Sequence, residues 1–60
     1  MNFPETMLVF MKEKGMIQAD LARKSGVSPA LISAYGLGKM EPSLKNAIAI
    51  SRALGVTLDD

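Results

Sequence analysis

The amino-acid sequence predicts a compact all-α fold of four or five short helices. Its apolar residues recur with helical spacing rather than with the alternation of a half-buried strand. Glycines at positions 15, 26, 36, 38 and 55, together with a proline at position 42, divide the chain into four short segments. A chain of 60 residues has room for one core, so we expect residues 1–60 to form a single domain.

The first two segments carry the end signals of helices. Proline suits a first helical turn and glycine suits the position after a last one, which predicts a helix from Pro4 to Lys14. The apolar stripe of this helix consists of Met7, Leu8, Phe10 and Met11. A second helix is predicted over residues 18–25. It lacks a capping side chain, because Ile17 precedes it and has no hydrogen-bond acceptor.

The third and fourth segments each begin with a serine that can cap a helix. Ser28 predicts a helix from Pro29 to Tyr35, which the following glycine would allow to fray early. Ser43 predicts a helix over residues 44–54, with an inner stripe formed by Ala47, Ile50 and Leu54. Thr57 and Asp60 have the spacing of a capping box, which marks the start of a helix. The sequence ends at Asp60, so this fifth helix is predicted to be either truncated or absent.

Helical spacing also separates the predicted core from the predicted surface. The core is expected to contain Leu21, Ala22, Val27, Ile32, Tyr35, Ile50 and Leu54. For Tyr35 we favour a buried ring with a polar tip over a phosphate ligand. Ile48 falls outside the inner stripe, and beside Leu58 it is a candidate surface for a protein partner.

Composition excludes several classes of function. The chain has no cysteine and no histidine, which excludes a disulfide framework, a zinc knuckle and a Ser-His-Asp triad. We expect no enzymatic activity and no cofactor, since the few carboxylates form no paired constellation. No apolar run approaches the length of a membrane span, and the amino terminus lacks the features of a signal peptide, so a cytoplasmic protein is expected.

The charge is compatible with a nucleic-acid partner without requiring one. The net charge is +1, but without the last two residues seven basic residues stand against four acidic ones.

The most informative stretch is the pair of helices around Gly26, because a left-handed residue there lets the second helix leave at a steep angle. Such a helix can enter a major groove, which is about 12 Å wide.

The order of residues in this stretch resembles a known family. The run over residues 18–35, QADLARKSGVSPALISAY, is followed by Gly38-Lys39 and Pro42-Ser43. These features in this order resemble the Cro and lambda-repressor type of helix-turn-helix domain, often called XRE-like. Residues 53–59 resemble the end of that family's fourth helix and the start of its fifth.

The resemblance implies a lambda-repressor-like fold that binds double-stranded DNA, usually as a homodimer, and regulates transcription. It implies phosphate contacts for Gln18 and Lys39 and for the start of the fourth helix near Ser43, where Lys45 adds charge. It implies that five residues of the third helix and its cap face base edges: Ser28, Pro29, Ala30, Ser33 and Ala34.

The third helix departs from the family where base-reading residues are usual. Pro29, Ala30 and Ala34 cannot form bidentate hydrogen bonds with guanine or adenine. Three modes of reading remain: contact with thymine methyl groups, a hydroxyl from Ser28 or Ser33, and DNA shape. We therefore expect weak or low-specificity DNA binding from one isolated domain. The alternative is a protein-interaction module, an antitoxin or an adaptor, on the same scaffold.

Overall fold

Four α-helices and their connections make up the described part of the computed structural model, which covers residues 3–55. The helices are α1 (Phe3–Glu13), α2 (Gln18–Ser25), α3 (Pro29–Gly36) and α4 (Leu44–Leu54). None of these residues lies in a β-strand, so the predicted all-α fold is confirmed for this part of the chain. Thr57 and Asp60, where a fifth helix is predicted to be truncated or absent, lie outside the described residues.

Helix α1 begins at Phe3 and ends at Glu13, each one residue earlier than predicted. Its buried residues are Met7 and Met11, which lie one turn apart on the inner face. The prediction that Leu8 belongs to this stripe is wrong, because Leu8 is 43% exposed. A helical residue turns about 100° from its neighbour, so Leu8 points beside the face on which Met7 is buried.

Helices α2 and α4 begin and end as their signals predict, and α3 begins at its predicted residue. The Ser28 hydroxyl oxygen accepts a hydrogen bond of 3.2 Å from the backbone N–H of Leu31, and Ser43 caps α4 in the same way. Gly26 takes a left-handed φ of +75°, and its N–H donates to the carbonyl of Ala22 at the end of α2. Ile17 provides no capping side chain, as expected.

The core lies where α2 packs against both α3 and α4, while α1 packs against α3. All seven predicted core residues are buried, and Met7 and Met11 join them. On α4 the inner stripe differs from the prediction, because Ala47 is half-buried and Ser51 is buried. The Ser51 hydroxyl donates to the Ile48 carbonyl over 2.8 Å, so this buried group has a hydrogen-bond partner. Ile48 is half-buried, while Leu58 lies outside the described residues.

Helix α3 continues through Gly36, whereas the sequence predicts early fraying there. Helix α1 packs against α3 at Gly36. A Cβ atom at this position would lie 3.5 Å from Cε of Met7 and 3.8 Å from Cδ2 of Leu8. Packing against α1 thus explains why the helix persists through a residue of low helix propensity.

Candidate nucleic-acid interface

The turn between α2 and α3 is held by backbone conformation and by burial. After the left-handed Gly26, Val27 is buried and its N–H donates to the Ser25 hydroxyl over 3.2 Å. The glycine reverses the chain, and the valine anchors the turn to the core. Helices α2 and α3 therefore have a defined mutual orientation, as a projecting recognition helix requires.

Exposure divides α3 into two halves. The capping Ser28 and the first two helical residues, Pro29 and Ala30, are exposed, whereas Ile32 and Tyr35 are buried. Ser33 and Ala34 are half-buried. The first turn of α3 thus projects from the body of the domain, and its second half is held in the core.

Few hydrogen-bonding groups are available at the exposed end of α3. The Ser28 oxygen is occupied as a cap by the Leu31 N–H, and Pro29 has no N–H. A helix leaves the N–H groups of its first turn without a carbonyl partner. In α3 the Ala30 N–H is the one of these groups that remains available to a ligand. The exposed turn therefore offers the Ala30 N–H, the hydrogen and remaining lone pair of the Ser28 hydroxyl, and the methyl group of Ala30.

Gln18 and Lys39 both lie at the opposite, C-terminal end of α3. The amide nitrogen of Gln18 is 3.9 Å from the point that a Cβ atom of Gly36 would occupy. The backbone N–H of Lys39 donates to the Ala34 carbonyl over 2.9 Å, which fixes the start of its exposed side chain. The side-chain amide of Gln18 and the backbone of Lys39 thus lie where α3 ends.

The start of α4 presents the features of an anion-binding helix end. Ser43 and Lys45 are exposed, and the Ser43 oxygen accepts from the Asn46 N–H over 3.2 Å. The N–H groups of Leu44 and Lys45 have no carbonyl partner within their own helix. A basic side chain and two free N–H groups at the positive end of the helix dipole suit a phosphate.

Arg23 is a different case from the exposed lysines. Its guanidinium lies 2.8 Å from the Asp20 carboxylate, whose other oxygen accepts from the Ile17 N–H over 3.3 Å. The paired carboxylate offsets the positive charge of Arg23 at this point of the surface.

Two residues that the sequence analysis left out of the site belong beside it. Leu37 is 67% exposed and follows Ala30, Ser33 and Ala34 at spacings of seven, four and three residues, the spacing of a continuous helical face. That spacing was the signal available in the sequence. The other residue is Asn46, whose side chain bonds to the Tyr35 hydroxyl over 2.9 Å. No sequence signal indicated this pair, which lies eleven residues apart on two helices.

Comparison with known proteins agrees with this arrangement. A family model described as helix-turn-helix matches residues 10–60. The uncharacterized HTH-type transcriptional regulator YqaE of Bacillus subtilis is 39% identical over 57 residues, which cover 95% of this chain and 49% of that protein. The comparison with solved structures found no significant match.

A second similar protein comes from an archaeon. The uncharacterized HTH-type transcriptional regulator MJ0272 of Methanocaldococcus jannaschii is 47% identical over 45 residues, 75% of this chain and 68% of that protein. The chain thus spans about half the length of one relative and about two thirds of the other. The match to the family model covers most of the chain and includes α2, the turn and α3. The chain therefore belongs to the helix-turn-helix family of the Cro and lambda-repressor (XRE-like) type.

Proposed function

We propose that this protein is a transcriptional regulator that binds double-stranded DNA through α3. The observation that carries the proposal is the division of α3 into an exposed first turn and a buried second half. This geometry suits insertion of residues 28–30 into a major groove while Ile32 and Tyr35 hold the helix to the body. Both similar proteins are named HTH-type transcriptional regulators, which supports the same function.

Phosphate contacts on both sides of the groove would hold the domain in register. Gln18 and Lys39 are placed at the C-terminal end of α3, and Ser43 and Lys45 lie at the start of α4. Charge-assisted hydrogen bonds from these groups to phosphates supply affinity without reading sequence. Base-edge contacts are assigned to Ser28, Pro29, Ala30, Ser33 and Ala34.

The mechanism that we propose is occupancy rather than catalysis. A bound domain blocks or alters the access of polymerase to the DNA beneath it. One domain of this size buries too little surface for tight specific binding, so we propose that a homodimer binds two half-sites of a pseudo-palindromic operator. We also propose that the protein acts in the cytoplasm. Within residues 3–55 no helix is both long enough and apolar enough to cross a bilayer.

Selection from a randomised pool of duplex DNA, followed by affinity measurements at two salt concentrations, tests this function. We expect enrichment of a two-fold symmetric site and a steep fall in affinity as salt rises. Lys39→Gln should weaken binding and reduce the salt dependence by about one released counterion. Lys12→Gln, which removes the same charge from an exposed position on α1, is the matched control and should have a smaller effect.

A second candidate function rests on exposed apolar side chains. Leu37, Met40 and Leu44 are all more than half exposed, and they lie between the end of α3 and the start of α4. Such a surface suits a protein-interaction module, an antitoxin or adaptor, on the same scaffold. The duplex selection separates the two functions, because a protein-interaction module should enrich no DNA sequence. A folded protein that binds no duplex at low salt would contradict the DNA-binding function.

A further inference from the structure

The outward face of α3 is a narrow stripe of small and apolar side chains. It consists of Ala30, Ser33, Ala34 and Leu37, whose spacing places them on one side of the helix. Ala30 and Leu37 are exposed at its two ends, and Ser33 and Ala34 are half-buried between them. If α3 enters a major groove as proposed above, this stripe and its capping Ser28 face the base edges.

Hydrogen bonds from this face cannot distinguish the four base pairs. Ser28 already accepts the Leu31 N–H, so its hydroxyl keeps one hydrogen to donate and one lone pair to accept, and it can bond to donors and acceptors of any base edge. The free Ala30 N–H is a single donor, and Ser33 is half-buried. Every base pair presents acceptors in the major groove, namely N7 and O6 of guanine, N7 of adenine and O4 of thymine. One hydroxyl that can donate or accept and one N–H donor therefore bind every sequence with little discrimination.

A methyl group is the feature of the major groove that apolar side chains can recognise. Thymine carries a methyl group at C5, and the other three bases do not. The stripe offers two alanine methyl groups and the side chain of Leu37, which is 67% exposed. We infer that this domain selects DNA by contact between thymine methyl groups and Ala30, Ala34 and Leu37. The inference rests on the proposed function, and it selects one of the three modes of reading that the sequence leaves open.

The expected change in DNA affinity follows from the free energy of burying one methyl group. Removing one methyl group from a contact with apolar side chains should weaken binding by about fourfold, the change that corresponds to one buried methylene group. A half-site with two such contacts would discriminate by about 16-fold, if the contacts are independent. Leu37 is then a specificity-determining residue of the site.

The test uses the duplex enriched from the randomised pool and the same duplex with deoxyuridine in place of each thymine in turn. Deoxyuridine lacks the C5 methyl group and keeps the hydrogen-bonding groups of thymine. We expect a loss of about fourfold at one or more thymines within each half-site, and no loss at thymines in the flanks. At a sensitive position, a C·G pair carrying 5-methylcytosine should bind more tightly than an unmodified C·G pair.

A pair of protein variants assigns the effect to the stripe. Leu37→Ala should reduce the difference in affinity between the thymine and deoxyuridine duplexes. Leu8→Ala removes the same side-chain atoms from a partly exposed position on α1 and should leave that difference unchanged. Thermal unfolding of both variants verifies that they are folded when the affinities are compared.

The possible outcomes separate this inference from the proposed function. Tight, salt-dependent binding that is equal for thymine and deoxyuridine duplexes would overturn methyl recognition and leave the DNA-binding function standing. The same result with a preference for runs of A·T pairs would identify the reading of DNA shape instead. Absence of binding to any duplex by the folded protein would overturn both.

Discussion

The side-chain amide of Asn46 donates a hydrogen bond of 2.9 Å to the hydroxyl of Tyr35, which joins the first turn of α4 to the buried half of α3. The Tyr35 ring stands edge-on to Phe3 of α1, with centroids 6.2 Å apart and an interplanar angle of 87°. Helix α4 packs mainly on α2, so this bond is a direct tie between the two helices that carry the proposed DNA contacts. It also accounts for the polar tip predicted for Tyr35.

A double-mutant cycle measures the strength of this tie. Tyr35→Phe and Asn46→Ala should each lower the free energy of unfolding, and the hydrogen bond should contribute about 1 kcal/mol as the coupling between them. The higher helix propensity of alanine is present in both proteins that carry Asn46→Ala, so it cancels in the cycle. Denaturant unfolding of the four proteins gives the coupling energy. Purely additive losses would show that the bond contributes nothing to stability.

Gly36→Ala should raise the free energy of unfolding by about 0.5–1 kcal/mol. Gly36 is within α3 and is not among the glycines with positive φ, so alanine fits its backbone. The new Cβ atom would meet Met7 at 3.5 Å, an ordinary van der Waals contact. Gly26→Ala is the control of opposite sign, because a φ of +75° should make alanine cost roughly 1–2 kcal/mol there. Thermal unfolding distinguishes the two variants, and a lower melting temperature for Gly36→Ala would show that α1 cannot adjust.

Ile17→Thr should raise the melting temperature by supplying the missing cap of α2. The backbone at Ile17 is already extended, with φ of −94° and ψ of 169°, and its N–H already donates to the Asp20 carboxylate. A threonine oxygen would accept the N–H of Asp20 and complete a capping box, worth about 1 kcal/mol. Ile17 is 65% exposed, so little packing is lost. Ile17→Val, branched like threonine but without the hydroxyl, is the control. A threonine variant less stable than the valine variant would show that no cap forms.

Ala30→Asp should abolish DNA binding without unfolding the domain. The carboxylate would stand on the exposed first turn of α3, where it repels phosphates but interacts favourably with the helix dipole, by about 0.3–1 kcal/mol. Asparagine has nearly the same size as aspartate but no charge, so Ala30→Asn should retain more affinity for DNA than Ala30→Asp. Fluorescence anisotropy with labelled duplex, alongside thermal unfolding, separates binding from folding. Unchanged affinity of the aspartate variant would rule out α3 as the recognition helix.

Local signals account for the parts of the fold that were predicted correctly. Ser28 and Ser43 specify helix starts through one side-chain oxygen each, and Gly26 specifies a helix end through a left-handed backbone. The family resemblance placed the candidate site on α3 and around it, and the roles of those residues remain predictions. Errors arose where neighbours in space decide the outcome, as at Leu8, Ala47 and Gly36.

The sequence by itself determined the starts of α2, α3 and α4 and the turn at Gly26, because each depends on residues close together in the chain. It also determined the family, through features that occur in order over residues 18–59. Only the tertiary structure decided that Asn46 bonds to Tyr35, that Gln18 lies against the end of α3 and that Leu37 remains exposed. These relationships depend on how α1 and α4 pack around the central pair of helices. Such packing is set by the fit of many side chains at once, which no local pattern of residues encodes.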